Sequence, residues 1–325
     1  MKRILCILLL IGFAASLQAQ DIHFSQIDIN PILFNPAYSG FFDGSGRFGA
    51  SYRNQWSTVS KAFQTLAISA ELPLVRRRYW SDGLNIGAVI YSDRAGTLHY
   101  GISTANAVLS YYKAFGSSNN NFISVALEGG AGSAGYSTDN LVMEDMSENL
   151  QAPNSRFLTL SAGMAWFCQP NDLLFFKIGL SGHNLNRPNI AYLPSDNAFI
   201  ERKISLYSRL EYRAWPTVAV APLVAAMRQL EYTEMMFGCD VKWYLSETNA
   251  KQVVFSSGVH YRWRDAAMIE LALEYNAYIF ALTYDANFSK LTSASNTFGS
   301  FELGIVYRLN RTKRINRRAL PCPIM

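Results

Sequence analysis

An alternation of apolar and polar side chains with a period of two, sustained along almost the whole chain, restricts its fold more than any other feature. Gly46, Phe48, Ala50, Tyr52, Asn54 and Trp56 oppose Arg47, Gly49, Ser51, Arg53 and Gln55. Leu158, Leu160, Ala162, Met164 and Trp166 alternate with Thr159, Ser161, Gly163 and Ala165, and Val259, Tyr261 and Trp263 with His260, Arg262 and Arg264. Such a period puts one set on each face of a β-strand. About fourteen segments of this kind follow one another, at 45–56, 62–74, 82–93, 98–114, 121–134, 157–168, 172–182, 200–214, 216–229, 232–245, 251–264, 266–276, 278–288 and 297–309. Most are far longer than the usual soluble strand of about five or six residues and match a tilted bilayer crossing. Trp56, Trp166, Tyr212, Trp243, Trp263, Tyr275 and Tyr307 fall near segment ends, where an aromatic girdle meets lipid headgroups. In lipid no strand edge can stay unpaired, so the expectation is an all-β chain forming a closed transmembrane antiparallel β-barrel.

Within this pattern 216–229 is the weakest segment, because Pro216 and Pro222 interrupt a nearly continuous apolar run. Asn276-Ala277 and Arg264-Asp265 read as short turns on one side of the barrel. The polar stretches 135–156, 183–199 and 289–296 read as loops, the first two extracellular.

The chain's start fixes a compartment. Lys2 and Arg3 precede an apolar run over 4–15, and Ser16-Leu17-Gln18-Ala19-Gln20 follows it. This is the pattern of a secretory signal peptide, with cleavage expected after Ala19 and loss of Cys6. Cys168, Cys239 and Cys322 are then too few and too scattered for a disulfide framework. Only 16% of the residues are charged, well under the quarter or so usual for soluble domains. The net charge of +5 is misleading, because two bases lie in the signal and six from Arg308 onward. Removing those eight from the 29 bases leaves 21 against 24 acids. The body is mildly acidic, which argues against a nucleic-acid partner. The expected organisation is a signal peptide at 1–19, a periplasmic or lumen-entering segment at 20–44, the barrel at 45–309 and a basic periplasmic tail at 310–325.

Phe24-Ser25-Gln26, Asn35-Pro36-Ala37-Tyr38-Ser39-Gly40, Tyr52-Arg53-Asn54-Gln55-Trp56 and Gln64-Thr65-Leu66 resemble, in order and spacing, the N-terminal signature of the PorP/SprF family. Tyr284-Asp285, Leu291, Ser295 and Phe301-Glu302-Leu303-Gly304 are similar to that family's final hairpin. The resemblance implies an outer-membrane component of the type IX secretion system of Bacteroidota, working with periplasmic and outer-membrane secretion components. It implies a part in the export or surface attachment of secreted proteins such as gliding adhesins. On this reading Asn35, Pro36, Tyr38 and Gly40 belong to a partner-binding segment. The tail offers a second one through Arg314, Arg317, Arg318, Leu320, Cys322 and Ile324, since Arg311, Lys313, Arg314, Arg317 and Arg318 put five bases in the eight residues 311–318, ahead of an apolar ending.

Sites of chemistry are not evident. His23, His99, His183 and His260 do not pair with other ligands at metal spacing, and no nucleophile elbow or phosphate loop occurs. No enzyme activity, cofactor or metal is expected. Interior positions carry both signs, among them Arg47, Arg53, Glu71, Glu128, Lys177, Lys203, Arg209, Arg213, Asp240, Arg262 and Glu302. A selective pore would show one dominant sign. Mixed charges suit a lumen crosslinked by salt bridges and largely filled. A small-solute transporter and a barrel enzyme stay as rival readings.

Overall fold

A computed structural model describes residues 24–55, 63–76, 82–96, 100–116, 120–136, 154–192, 196–248, 251–288 and 298–309. The expected signal peptide, Trp56, most of the 135–156 and 289–296 loops, and the tail lie outside these residues. Fourteen strands form the wall: β1 (Gly46–Gln55), β2 (Phe63–Arg76), β3 (Asp82–Ala95), β4 (Tyr100–Phe115), β5 (Asn121–Gly135), β6 (Asn154–Asn171), β7 (Leu174–His183), β8 (Lys203–Trp215), β9 (Val218–Gln229), β10 (Tyr232–Glu247), β11 (Gln252–Arg262), β12 (Ala266–Tyr275), β13 (Tyr278–Asn287) and β14 (Phe298–Leu309). Each pairs antiparallel with its sequence neighbours, and β1 pairs with β14 to close the barrel. The alternation therefore translates into strands where it was read.

Burial follows the same period. Along β4 and β5 buried and exposed residues alternate almost without a break. The outward face is apolar, with Leu158 68% and Leu127 63% exposed. Left in water, a continuous apolar surface of this kind would be far larger than soluble monomers carry, whereas lipid solvates it. Antiparallel order fixes two ends. β1 starts and β14 finishes at one end, called here the terminal end, together with the short turns 172–173, 216–217 and 276–277. β5 and β7 finish and β6 and β8 start at the other, the loop end, so the sequence between each pair connects there. Arg264-Asp265 and Asn276-Ala277 therefore sit at opposite ends, contrary to the sequence expectation, because one strand separates them. The outward rings form two girdles. Trp166, Tyr212, Trp243, Tyr275 and Tyr307 lie toward the terminal end, and Tyr232, Tyr261, Trp263 and Tyr284 toward the loop end.

Strand β9 has a physical reason for its blurred pattern. Its inward residues Ala219, Ala221, Leu223 and Ala225 are buried and apolar, because the lumen they face is itself occupied. Pro222, which has no N–H, falls where the ladder to β8 is interrupted between Arg209↔Leu223 and Tyr212↔Val220.

Candidate functional site

Residues 24–44 run through the lumen, from the loop half down to the terminal end where β1 begins. High in the lumen the Ser25 N–H donates to both oxygens of Glu302, at 2.9 and 3.0 Å, and the Gln26 N–H donates to the same carboxylate at 3.1 Å. Gln26 Nε2 donates to Thr283 Oγ1 at 2.9 Å. Midway, Asp28 accepts from Lys177 Nζ at 2.5 Å, Arg209 Nη1 at 2.9 Å and the Tyr207 hydroxyl at 3.0 Å. Asn30 donates to Ser51 Oγ and accepts from Ser69 Oγ. Arg47 donates to the Asp28 and Ile29 carbonyls and pairs with Glu71 at 2.7 Å, whose other oxygen accepts the Gly40 N–H at 3.1 Å.

The signature Asn35-Pro36-Ala37-Tyr38-Ser39-Gly40 is the lower half of this plug. After one helical turn, α1 (Pro31–Phe34), Asn35 caps a 3-10 turn over Pro36–Tyr38 by accepting from the Ala37 N–H at 2.9 Å. A short polar cap followed by proline is a sequence that stops and restarts a helix in place. Asn35 Nδ2 donates to the Met164 carbonyl at 3.0 Å, and the Tyr38 hydroxyl donates to the Tyr207 carbonyl at 3.1 Å. The Ser39 carbonyl accepts from Ser110 Oγ at 2.9 Å. Gly40 has φ +86, and a Cβ there would meet Asn85 Cγ at 2.1 Å, so both conformation and space require glycine. The wall provides matching gaps: a Cβ on Gly163 would lie 2.1 Å from Asn35 Oδ1, and one on Gly179 would lie 2.5 Å from Asn35 Nδ2.

Apolar contacts complete the seat. Ile27, Phe34, Ala37 and Tyr38 pack in one buried cluster with Tyr112, Phe122, Phe167, Tyr207, Leu223 and Met268. Phe41 stacks on Phe167 with ring centroids 3.6 Å apart. A plug held this way exchanges exposed rings for buried ones, at roughly 1.5–3 kcal/mol for each large side chain fully buried.

Ion pairs tie the plug to the wall and the strands to one another. Arg53 pairs with Glu302 at 2.6 Å and Asp285 at 3.3 Å, and Arg262 reaches Asp285 and the Ser25 hydroxyl. Thus the Phe24-Ser25-Gln26 motif, Arg53 of the next motif and the final-hairpin residues Asp285 and Glu302 meet at one place. A second chain runs from His260 through Asp240 and Arg209 to Asp28. Burial favours protonation of Asp28, but Lys177 and Arg209 outweigh it and hold the carboxyl well below the usual range. Arg213, read as interior, instead sits at the terminal rim on Glu247.

Of the residues singled out as partner-binding, Asn35, Pro36, Tyr38 and Gly40 are buried against the barrel's own wall. As a surface for another protein they are covered in this arrangement. Arg314, Arg317, Arg318, Leu320, Cys322 and Ile324 lie outside the described residues. Sequence reasoning missed Asp28, whose role depends on which wall cations closure brings to it. The one available signal was the apolar inward face of β9.

The chain matches the model of a family described as type IX secretion system membrane protein PorP/SprF over residues 16–307. No curated protein matches it significantly. Among solved structures it is similar to the Ralstonia pickettii toluene transporter TbuX, with a TM-score of 0.51, 8% identity, and coverage of 86% of this chain and 93% of that one. It is also similar to a Pseudomonas aeruginosa FadL homologue, with a TM-score of 0.48, 10% identity, and coverage of 85% and 93%. The Pseudomonas putida toluene transporter TodX gives 0.47, 8%, 89% and 94%. At such identities the likeness concerns the fold alone: an outer-membrane type of barrel.

Proposed function

The chain belongs to the PorP/SprF family of type IX secretion system membrane proteins, and from that membership we propose that it is a stoppered outer-membrane partner in the export or surface attachment of secreted proteins, not their conduit. The observation that carries this reading is the plug: residues 24–44 cross the lumen and are bonded to wall strands on several sides. The segment thus occupies the lumen that a conduit would leave open. The wall's charges are spent on one another and on the plug, the economy of a scaffold and not of an ion-selective pore.

In this reading the terminal end faces the periplasm and the long connections face outward, as in barrels with short periplasmic turns. Secreted cargo, of the adhesin type, meets the loop end. Periplasmic secretion components meet the terminal rim, where the basic tail and its Arg314, Arg317, Arg318, Leu320, Cys322 and Ile324 leave β14. Asn35, Pro36, Tyr38 and Gly40 serve binding indirectly, by holding the plug that shapes both mouths. Catalysis has no part in the role.

Deletion of the gene tests the reading. Type IX cargo should stay in the periplasm or vanish from the surface while permeability to small solutes is unchanged. Normal cargo delivery in the deletion strain defeats it, and a selective loss of solute uptake favours a transporter instead.

A further inference from the structure

The outward face is not uniform. Two exposed arginines stand near the loop ends of their strands, Arg94 on β3 and Arg156 on β6. Neither has an ion pair or a side-chain hydrogen bond among the described residues. Other arginines at this end are engaged: Arg187 pairs with Glu201, Arg202 donates to the Leu185 carbonyl and Arg228 to the Leu230 carbonyl. Gly101 on β4 faces Arg94 across the ladder, and a Cβ there would lie 3.2 Å from Arg94 Cγ. The Arg94 side chain therefore leans over β4, toward the side on which Arg156 stands. One outward step further in, Ser92, Ser103 and Ser133 lie side by side and lead to Arg156. Below the serines the surface dips. Strands β4 and β5 present Ala105 beside Ala131, then Ala107 beside Gly129. Exposed Ile90 on β3 and Leu158 and Leu160 on β6 border this floor, and Leu109 and Leu127 close its lower end. The result is a trough two strands wide, with the arginines at its upper end.

We propose that this trough holds one molecule of a phosphorylated glycolipid, its acidic sugar headgroup on Arg94 and Arg156 and an acyl chain against Ala105, Ala107 and Gly129. The inference goes beyond the secretion role and shares with it only the orientation that turns the loop end outward, which puts the trough in the outer leaflet. A guanidinium at a membrane surface without a counter-ion is costly, and a phosphate supplies one in bidentate geometry. The spacing selects the headgroup. Arg94 and Arg156 stand three strands and two residues apart, which is roughly 16 Å between Cα atoms at about 4.8 Å per strand and 3.3 Å per residue. A single small phosphate meets both only if both side chains are drawn fully together, whereas a disaccharide with a phosphate at each end spans them. The serine hydroxyls between the arginines then face sugar hydroxyls, with which they can both donate and accept. A zwitterionic phospholipid would bring a cation beside the arginines and no sugar to the serines. Lower down, a floor of alanine and glycine lets a chain approach the backbone as leucines would not, and close packing is what one apolar group gains over another in lipid.

The test titrates the full-length protein, purified in detergent, with bisphosphorylated lipid A and reads retained lipid by native mass spectrometry. Dephosphorylated lipid A, phosphatidylglycerol and phosphatidylcholine are the comparison lipids. The natural protein should retain one molecule of the bisphosphorylated form in preference to all three. Arg94→Gln with Arg156→Gln should weaken that binding about tenfold or more, through loss of two charge-assisted contacts. Ala105→Leu, which fills the trough and keeps the face apolar, should weaken it about fourfold, the order expected for one methylene kept out of contact. Lys113→Gln removes an outward base at the terminal end and should change nothing. Heat-modifiable migration checks that each barrel is folded, and all four positions face outward, so the plug and its ion pairs are untouched. Equal retention of the dephosphorylated form overturns the proposal, as does a folded double variant that binds like the natural protein. A loss in Lys113→Gln as large as in the double variant shows charge without a site and also overturns it. Phosphatidylglycerol bound as tightly as lipid A assigns the arginines to phospholipid and overturns the glycolipid. The readout is lipid on a purified barrel, so its failure leaves the secretion role standing, and that role falls only with normal export after gene deletion.

Discussion

Lys177 Nζ lies 2.5 Å from the Asp28 carboxylate, and the same ammonium sits over the rings of Tyr38 and Tyr207, 5.3 and 5.0 Å from their centroids. A wall cation, a plug anion and an aromatic of the plug's signature are thus held by one contact. Lys177 is buried, so loss of its anion leaves an uncompensated charge inside the barrel. Breaking a buried pair from one side costs about 3–5 kcal/mol, and the partial exposure of Asp28 puts the expectation at the lower end. Asp28→Asn should lower denaturant stability by about 3 kcal/mol and raise single-channel conductance in planar bilayers. Lys177→Met added to it should restore part of the loss. Equal stability of Asp28→Asn and the natural protein would show that the pair does not hold the plug.

The acid response of that anchor has a defined sign. Asp28 is held well below the ordinary carboxylate range despite its burial, because Lys177 and Arg209 face it. A group depressed in the folded state stabilises fully above its unfolded value of about 3.9, and the contribution fades only as pH falls through the folded value. Plug amides should therefore be equally protected from hydrogen exchange, after correction for intrinsic rates, at about pH 7 and about pH 5. Protection in Asp28→Asn should be weaker at both. A plug that loosens on going from neutral to mildly acid pH would contradict the assignment.

The barrel is legible in the sequence because lipid and lumen ask opposite chemistry of successive residues, which writes the fold at a period of two. All fourteen strands lie close to the segments that period marks, including β9, where inward Ala219, Ala221 and Leu223 weaken it. The plug leaves no such record. Residues 24–44 touch wall on several sides at once, so neither face is reserved for water or lipid. The pairing of Asp28 with Lys177 and Arg209, or of Ser25 with Glu302, spans 149 to 277 positions of sequence and exists only once β1 meets β14. From sequence, those wall residues read only as interior charges of both signs.

Outward and inward positions should respond differently to charge. Leu160 is 46% exposed on the outward face, and Leu160→Arg should cost roughly 2–4 kcal/mol if it sits near the bilayer centre. Ser51→Ala, inward, should cost about 0.5–1.5 kcal/mol by removing the acceptor of Asn30. Unfolding in lipid vesicles measures both, and a larger loss for Ser51→Ala would reject the assignment of faces.

The sharpest prediction concerns the fit between the signature and the wall. Gly163 on β6 and Gly179 on β7 stand on either side of the Asn35 amide, and an added Cβ would lie 2.1 Å from its Oδ1 in one case and 2.5 Å from its Nδ2 in the other. The same Cβ on Gly179 would also lie 2.6 Å from the Tyr38 hydroxyl oxygen. Both plug side chains are buried and bonded, so neither can swing into free space. Gly179→Ala should therefore displace the 3-10 turn without disturbing the strand ladder, since alanine is compatible with extended backbone. The expected result is a barrel that inserts and stays heat-modifiable, loses about 1–3 kcal/mol from the forced overpacking, and shows faster hydrogen exchange at Ala37 and Ser39. Gly129→Ala is the control, because a Cβ there meets nothing nearer than 3.9 Å. If Gly179→Ala and Gly129→Ala behave alike, the glycines are not the seat of the signature, and the plug is held by its ion pairs and apolar contacts alone.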